Sequence, residues 1–183
     1  MLLPHQGITS HKVSSYQRMS QTIACSLFCS RLDYENSVFA GISDLQANRL
    51  QRIQNALARV VLRAPSRSNS LTLLSQLHWL PVKFRIKFKL ACLTYKTLTT
   101  STPNYLQPLV SPYIPPRSLR SSVMGLLVEP RCCTVMGSRA FRVAAPREWN
   151  RLPMSIRCSD SFSSFKKRLK THYFSLVFKH LDM

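Results

Sequence analysis

Val82, Phe84, Ile86, Phe88 and Leu90 alternate with Lys83, Arg85, Lys87 and Lys89. Taken literally, that period of two is a strand with one apolar and one basic face. The segment carrying it, LHWLPVKFRIKFKLACLTY (77–95), does not stop where a strand would. After Pro81 neither Gly nor Pro appears until Pro103, a run much longer than the usual strand of about five or six residues. Pro is also favoured at the first helical position, where its missing N–H costs nothing. The spacing therefore predicts a helix after Pro81. At about 100° per residue, Val82, Ile86, Leu90 and Leu93 form one stripe and Phe84, Phe88, Ala91 and Tyr95 another, with Arg85, Lys89 and Lys96 on one edge between them. Such a helix packs on two sides and keeps a basic ridge in water.

The same reading along the chain gives mostly helices. Residues 1–16 are polar and without periodicity. Ile23/Leu27 and Ala24/Phe28/Leu32 recur at helical spacing and predict a first helix that runs on through SRLDYENSVFAGI and closes at Gly41. Ser43-Asp44-Leu45-Gln46 has the form of a capping box. The helix it opens carries Leu50, Ile53, Leu57, Val60, Val61 and Ala64 as its apolar stripe and ends at Pro65. Residues 71–77 predict a brief helix leading into the corner His78-Trp79-Leu80-Pro81. The Thr-, Ser- and Pro-rich stretch 97–122 predicts a strap with one helical turn over 105–110 and extended polyproline II backbone at PYIPPR. GLLVEPR (125–131) is the best candidate strand, pairing with 134–143 across a Cys-rich turn. Pro146 is expected to open a short turn with Trp149 and Leu152 inward, stopped by Pro153. Ser161 caps a last helix reaching about residue 178, with Phe162, Phe165, Leu169, Tyr173 and Leu176 on one stripe.

The expected fold class is mainly α: a small helical bundle, a Pro-rich strap, a short β-hairpin and a C-terminal amphipathic helix. The organisation divides into a variable N-terminus (1–16), a helical region (17–99), a linker (100–122) and a small C-terminal unit (123–183). No repeat of fixed period and no long heptad run is present.

Charge changes the picture. The 183 residues hold 26 Lys and Arg against 7 Asp and Glu, a net charge of +19, with 45% hydrophobic residues, enough to build a core. Twelve of the cations fall in the interval 45–128, which contains no acid. Charge of that density opposes compaction unless a polyanion neutralises it. Nucleic acid is the leading candidate, and Arg49, Arg52, Arg59 and Arg63, clustered on one flank of their helix, together with Lys83, Arg85, Lys87 and Lys89, are the candidate phosphate contacts. An acidic membrane surface is the rival polyanion. It calls for a lysine-rich helix with an exposed apolar face or a lipidation signal, and neither is well formed. No secretory signal and no long apolar span is read, so the expected location is nuclear or cytoplasmic, without membrane contact. The six cysteines are then expected to be free thiols, and the spacing of Cys25/Cys29, Cys132/Cys133, Cys92 and Cys158 matches no usual zinc site. No cofactor is expected.

Catalysis fails on inventory. The seven acids are scattered apart from Asp33 and Glu35, and two residues apart on a helix do not share a face. Two-metal phosphoryl chemistry needs several converging carboxylates. The four glycines are ungrouped, so there is no phosphate loop, and no nucleophile elbow or Cys/His constellation with an orienting acid is present. His78 has no neighbouring acid and reads as a packed corner residue. Trp79, between Leu77 and Leu80, reads as core rather than a base platform. Lys166, Lys167, Arg168 and Lys170 form a second basic cluster of the kind that often only solubilises. Tyr113, Arg117 and Arg120 in the strap fit either a single strand of nucleic acid or a surface tie.

Seven ordered blocks carry a resemblance: SRLDYENSVFAGI, LQRIQNALARVVL, LSQLHWLPVKFRIKFKLACLTYKTL, PNYLQPLVSPYIPPRSLRSS, GLLVEPR, GSRAFRVAAPREWNRLP and SFSSFKKRLKTHYFSLVF. In this order and spacing, over residues 17–178, they resemble the C-terminal region of the polyprotein of LINE-type, non-LTR retrotransposons of the chicken-repeat kind, abundant in fish genomes. The resemblance implies the thumb-side helices and C-terminal extension of a reverse transcriptase. The parent family is an RNA-directed DNA polymerase, but its metal-binding aspartates and its endonuclease lie upstream of this region, so no enzyme activity is implied for this chain. The implied partners are the backbone of RNA or DNA, sequence-tolerantly, and the reverse transcriptase body. In the family, the site at Asp33-Tyr34-Glu35 is a helix-end packing motif reading Leu-Asp-Tyr-Cys-Asn. Glu35 departs from it, which implies a decayed or truncated copy; a structural remnant with no present partner is the alternative.

Overall fold

In the computed structural model, residues 15–24, 26–27, 30–34, 39–115 and 125–179 are described. The fold is mainly helical. Helices α1 (Ser15–Ala24), α2 (Ser30–Tyr34), α3 (Asp44–Leu62), α4 (Ser70–Gln76) and α5 (Val82–Thr100) precede the strap, and α6 (Phe141–Asn150), α7 (Met154–Arg157) and α8 (Phe162–Phe178) follow it.

Helix α5 is the central element. Pro81 stands at its N-cap, and no residue of either breaking type interrupts it. Both predicted stripes are used: Val82, Ile86 and Leu90 are buried on one side, and Ala91 and Tyr95 on the other, where Phe84 and Phe88 pack against the main core. That core joins Leu80, Ala91, Cys92 and Tyr95 to Trp149, Leu152, Ile156, Phe165, Leu169 and Tyr173. The chain on either side of the strap thus shares one apolar interior. Phe165, fully buried, stacks on Tyr95 at 4.4 Å and on Trp149 at 5.8 Å between ring centres. The Tyr95 hydroxyl donates to the Ser159 carbonyl at 2.7 Å, so the ring is buried without stranding its polar tip. A second cluster gathers Ala58, Val61, Leu73, Leu74, Leu77 and Trp79 with Phe178.

The predicted helix caps are present. The Ser43 hydroxyl accepts from the Gln46 amide at the start of α3, and Ser161 accepts from the Ser164 amide at the start of α8. Asn69, not read as a cap from the sequence, caps α4 by accepting from the Leu71 amide. Helix α3 is nevertheless rotated from its expected orientation. Val61 of the expected stripe is buried, but Ile53 and Val60 are 53% and 68% exposed, and Ala47, Gln54 and Ala58 are buried instead. Small residues let α3 come close to the Pro81 corner, and a polar residue is needed there. Gln54 Nε2 donates to the Leu80 carbonyl and Gln51 Oε1 accepts from the Val82 amide, each at 2.9 Å. In α8, Leu176 is 56% exposed rather than inward. Past Tyr173 the helix passes from the main core to the second cluster: Phe174 packs on both, and Val177 and Phe178 on the second.

The N-terminal stripe is realised in part. Ala24 is buried, while Ile23 and Leu27 are exposed. Cys25, Phe28, Cys29 and Glu35, and the side chains of Leu32 and Asp33, lie outside the described residues. Gly41 has φ +71°, a conformation that suits glycine.

The predicted hairpin between 125–131 and 134–143 is replaced by a different arrangement. Leu127 makes a single antiparallel bridge to Pro112 of the strap, through Tyr113 N–H to Leu126 O and Val128 N–H to Ser111 O, both 2.9 Å. On its other edge Leu127 is met by the Asn150 carboxamide, which accepts from its N–H and donates to its carbonyl at 2.9 Å each. A side-chain amide therefore occupies the position a partner strand would take, and no strand forms among the described residues. Residues 137–139 turn as a 3-10 helix and Phe141 starts α6, which runs through Pro146 instead of beginning there. Trp149 and Leu152 do point inward, and the Trp149 indole donates to the Gly125 carbonyl at 2.9 Å. The predicted strap turn appears as a 3-10 helix over Asn104–Leu109. Arg117 and Arg120 lie outside the described residues.

Candidate functional site

The eight candidate cations fall in three places. Residues two apart on a helix are separated by about 200°, so the alternating cations of α5 divide between opposite edges of the helix. Lys83 and Lys87 face α3 and α6, where acids meet them. Lys83 Nζ lies 2.6 Å from Asp44 Oδ1, and Lys87 Nζ lies 3.8 Å from Glu148 Oε2, which also holds Arg151 Nη1 at 2.8 Å through its other oxygen. The bond and charge of Lys83 hold the Asp44 carboxyl below its ordinary pKa. A pocket of about 320 Å³ on this side is bordered by both signs: Asp44 and Glu148 with Lys83, Lys87, Arg147 and Arg151.

Arg85 and Lys89 face the other way, toward α8. They line a cleft of about 480 Å³ with Lys96 of α5 and with Lys166 and Lys170 of α8; His78, Leu80, Phe88, Cys92 and Phe162 complete it, and among the described residues no Asp or Glu lines it. Arg85 Nε donates to the Leu80 carbonyl at 3.0 Å, which ties its stem to the corner. Phe162 sits where the two walls meet. Lys96 Nζ is 4.8 Å and Lys166 Nζ 5.4 Å from its ring centre, so one ammonium from each wall is held to the same aromatic post. Lys89, Lys96, Lys166 and Lys170 have no ion-pair partner among the described residues. Cys92 lies at the floor. Burial pushes its thiol up to about 11, against the opposing pull of Lys166, Lys89 and Lys96. Three of the lysines thus act on one buried atom.

The third place is the outer flank of α3. Arg49, Arg52 and Arg63 are exposed there and Arg59 is half-buried, its Nε without a hydrogen-bond partner. Leu45, Ile53 and Val60 stand exposed among them, so this face is mixed rather than purely cationic. Arg63 has left-handed backbone at φ +50° and closes the helix, its N–H directed at the carbonyls of Arg59 and Val60.

Two sequence readings need correction. His78 is exposed, not packed in the corner: its φ is +54° and its ring lies against Phe174 at 5.5 Å, at the rim of the cleft. Lys166 and Lys170, grouped with a solubilising cluster, turn toward α5, while Arg168 binds the Ser155 carbonyl of α7 at 2.9 Å. The four-residue spacing of Lys166 and Lys170 put them on one edge of α8, but nothing local said that this edge meets Lys89 and Lys96. Trp79 is buried in the second cluster, as its neighbours implied.

Among the described residues, no cluster of three His, Cys, Asp or Glu could hold a metal, and no helix is long and apolar enough to cross a membrane. No family model, curated protein or solved structure matches the chain.

Proposed function

We propose that this chain is a non-catalytic, nucleic-acid-binding segment, the thumb-side and C-terminal region of a LINE-type reverse transcriptase, and that it grips the phosphate backbone of RNA or DNA in the cleft between α5 and α8. The observation that carries the reading is the convergence of four lysines and Arg85 on that cleft with no acid lining it among the described residues. Like charges facing one another across a shared ring raise the energy of the empty site, and an intervening anion relieves it. The seven sequence blocks support the family, and the acid-free interval supports the polyanion.

Each phosphate neutralised by a lysine releases counterions. Binding through four lysines should give a slope of log affinity against log salt of about −3. Fluorescence anisotropy of a labelled oligonucleotide between 50 and 200 mM salt, concentrations that are about those over which such contacts are usually resolved, measures it. An affinity that stays flat across that range refutes the proposal.

A second reading has an observation of its own. Ile53 and Val60 are exposed between Arg49 and Arg52 on one side and Arg63 on the other, and apolar side chains gain nothing from a phosphate backbone. That flank suits a protein surface, as a region once packed on the body of its parent polymerase would require. Residual binding that survives loss of the cleft lysines, and disappears with Arg49 and Arg52, favours it.

A further inference from the structure

The cleft has a feature that backbone gripping leaves unused. Between its basic walls lies an apolar floor, made by Leu80, Phe88 and Cys92. Phe162 is engaged by Lys96 and Lys166, but no ring or cation covers Phe88 among the described residues. Phe88 is half-buried, fixed from behind by the main core and open toward the cleft.

A duplex presents its phosphates outward on a convex surface and hides the faces of its bases in the stack. Against it an apolar floor between two lysine walls would face only sugar and phosphate. An unpaired strand presents both chemistries at once: a phosphate for the ammoniums and a bare π-face for an aromatic ring. The volume also fits, since about 480 Å³ lies within the range of pockets that enclose one small-molecule-sized group, roughly 300–1,000 Å³. We infer that the α5–α8 cleft selects single-stranded nucleic acid, with one base laid on Phe88 and its flanking phosphates held by Lys89 and Lys96 on one side and Lys166 and Lys170 on the other. This rests on the nucleic-acid reading above and adds the form of the ligand and the residue that reads it. Phe162 is a positioning residue, aiming Lys96 and Lys166, whereas Phe88 touches the base. The selection is sequence-tolerant, because every base has a π-face.

The test uses the full chain and three probes of equal length: a labelled oligonucleotide, the same strand closed into a hairpin duplex, and an abasic strand that keeps the phosphates and lacks the bases. The intact strand should bind more tightly than the abasic one by about five- to 150-fold, the contribution of one stacked base, and more tightly than the hairpin. Phe88→Leu, which keeps an apolar side chain and removes the π-face, should bring the intact strand down to the abasic value while leaving abasic binding unchanged. Retained abasic binding shows in the same measurement that the variant is folded. Equal affinity for intact and abasic strands, or a hairpin bound as tightly as the strand, overturns the inference while leaving phosphate binding standing. A strand preference that survives Phe88→Leu overturns the assignment of Phe88. If none of the three probes binds, the underlying nucleic-acid reading falls, and this inference with it. Should the leucine variant fail to fold, the wild-type comparison of intact, abasic and hairpin probes still decides the strand preference.

Discussion

Lys83 and Lys87 on one edge of α5, and Lys89 and Lys96 on the other, belong to one helix and one run of basic residues, yet they meet opposite surroundings. The first pair faces Asp44 and Glu148 and is joined to them. The second faces Lys166 and Lys170, and no carboxylate among the described residues lines the space between. The charge of the two pairs themselves does not distinguish the edges, since each is two lysines. The placement of the scarce acids does: among the described residues Asp44 and Glu148 serve one edge of the helix and no acid serves the other. The first pair's charge is met within the fold, and the second pair's is not met by any acid among the described residues.

The comparison can be broken most severely by removing the contact that holds the second wall in place. Phe165→Ala empties the stack against Tyr95 and Trp149 and should cost about 3–5 kcal/mol, read as a lower urea midpoint together with loss of oligonucleotide binding. Next in size is the charge contrast itself. Replacing Lys89, Lys96 and Lys166 together by Gln should reduce the steepness of the salt dependence by about 2, whereas Lys83→Gln with Lys87→Gln should leave it within about half a unit of wild type. Equal losses from both sets would erase the distinction.

A pH experiment sharpens it from the cleft floor. Burial raises the Cys92 thiol from 9.0 to about 11 in the folded protein. Below pH 9 both states hold the proton. Between pH 9 and 11 the unfolded chain gives it up first, so the folded state binds more protons and stability falls as pH rises, by up to about 1.4 kcal/mol per unit. Other groups titrate in the same range, so the measurement is the difference between wild type and Cys92→Ala in urea midpoint from pH 8 to about 11, and the variant should show the shallower decline. Smaller still, Glu148→Gln should cost about 1 kcal/mol and free Lys87, making the quiet edge resemble the cleft. The least effect belongs to Lys83→Gln alone. Its partner Asp44 stands in open solvent with 84% of its side chain exposed, so the thermal midpoint should not move measurably.

Much of this fold was legible from local signals. Pro81 and the uninterrupted run after it announced α5, and Ser43 and Ser161 marked helix starts because a cap is a property of four neighbouring residues. The burial of Trp79 followed from its apolar neighbours Leu77 and Leu80. What failed depended on partners distant in sequence. Hydropathy assigned Ile53 and Val60 to the core of α3, but close approach to the Pro81 corner selects alanine and a hydrogen-bonding glutamine. The strand at 125–131 was sought beside 134–143, and its outer edge is instead satisfied by Asn150, a single side chain with no strand pattern to betray it. Of the cleft, the edge formed by Arg85, Lys89 and Lys96 was visible in the helical spacing; its opposite wall was not, because which face of α8 docks is decided by Phe165, Leu169 and Tyr173 together.

Gln51 and Gln54 carry a consequence for how the molecule opens. The first amide of a helix ordinarily has no acceptor and trades its proton with water as the end frays. That of Val82 is bound by Gln51, from another helix. Exchange at Val82 therefore requires α3 to part from α5, and in deuterium this one proton becomes a clock for the separation of two helices rather than for the loosening of one.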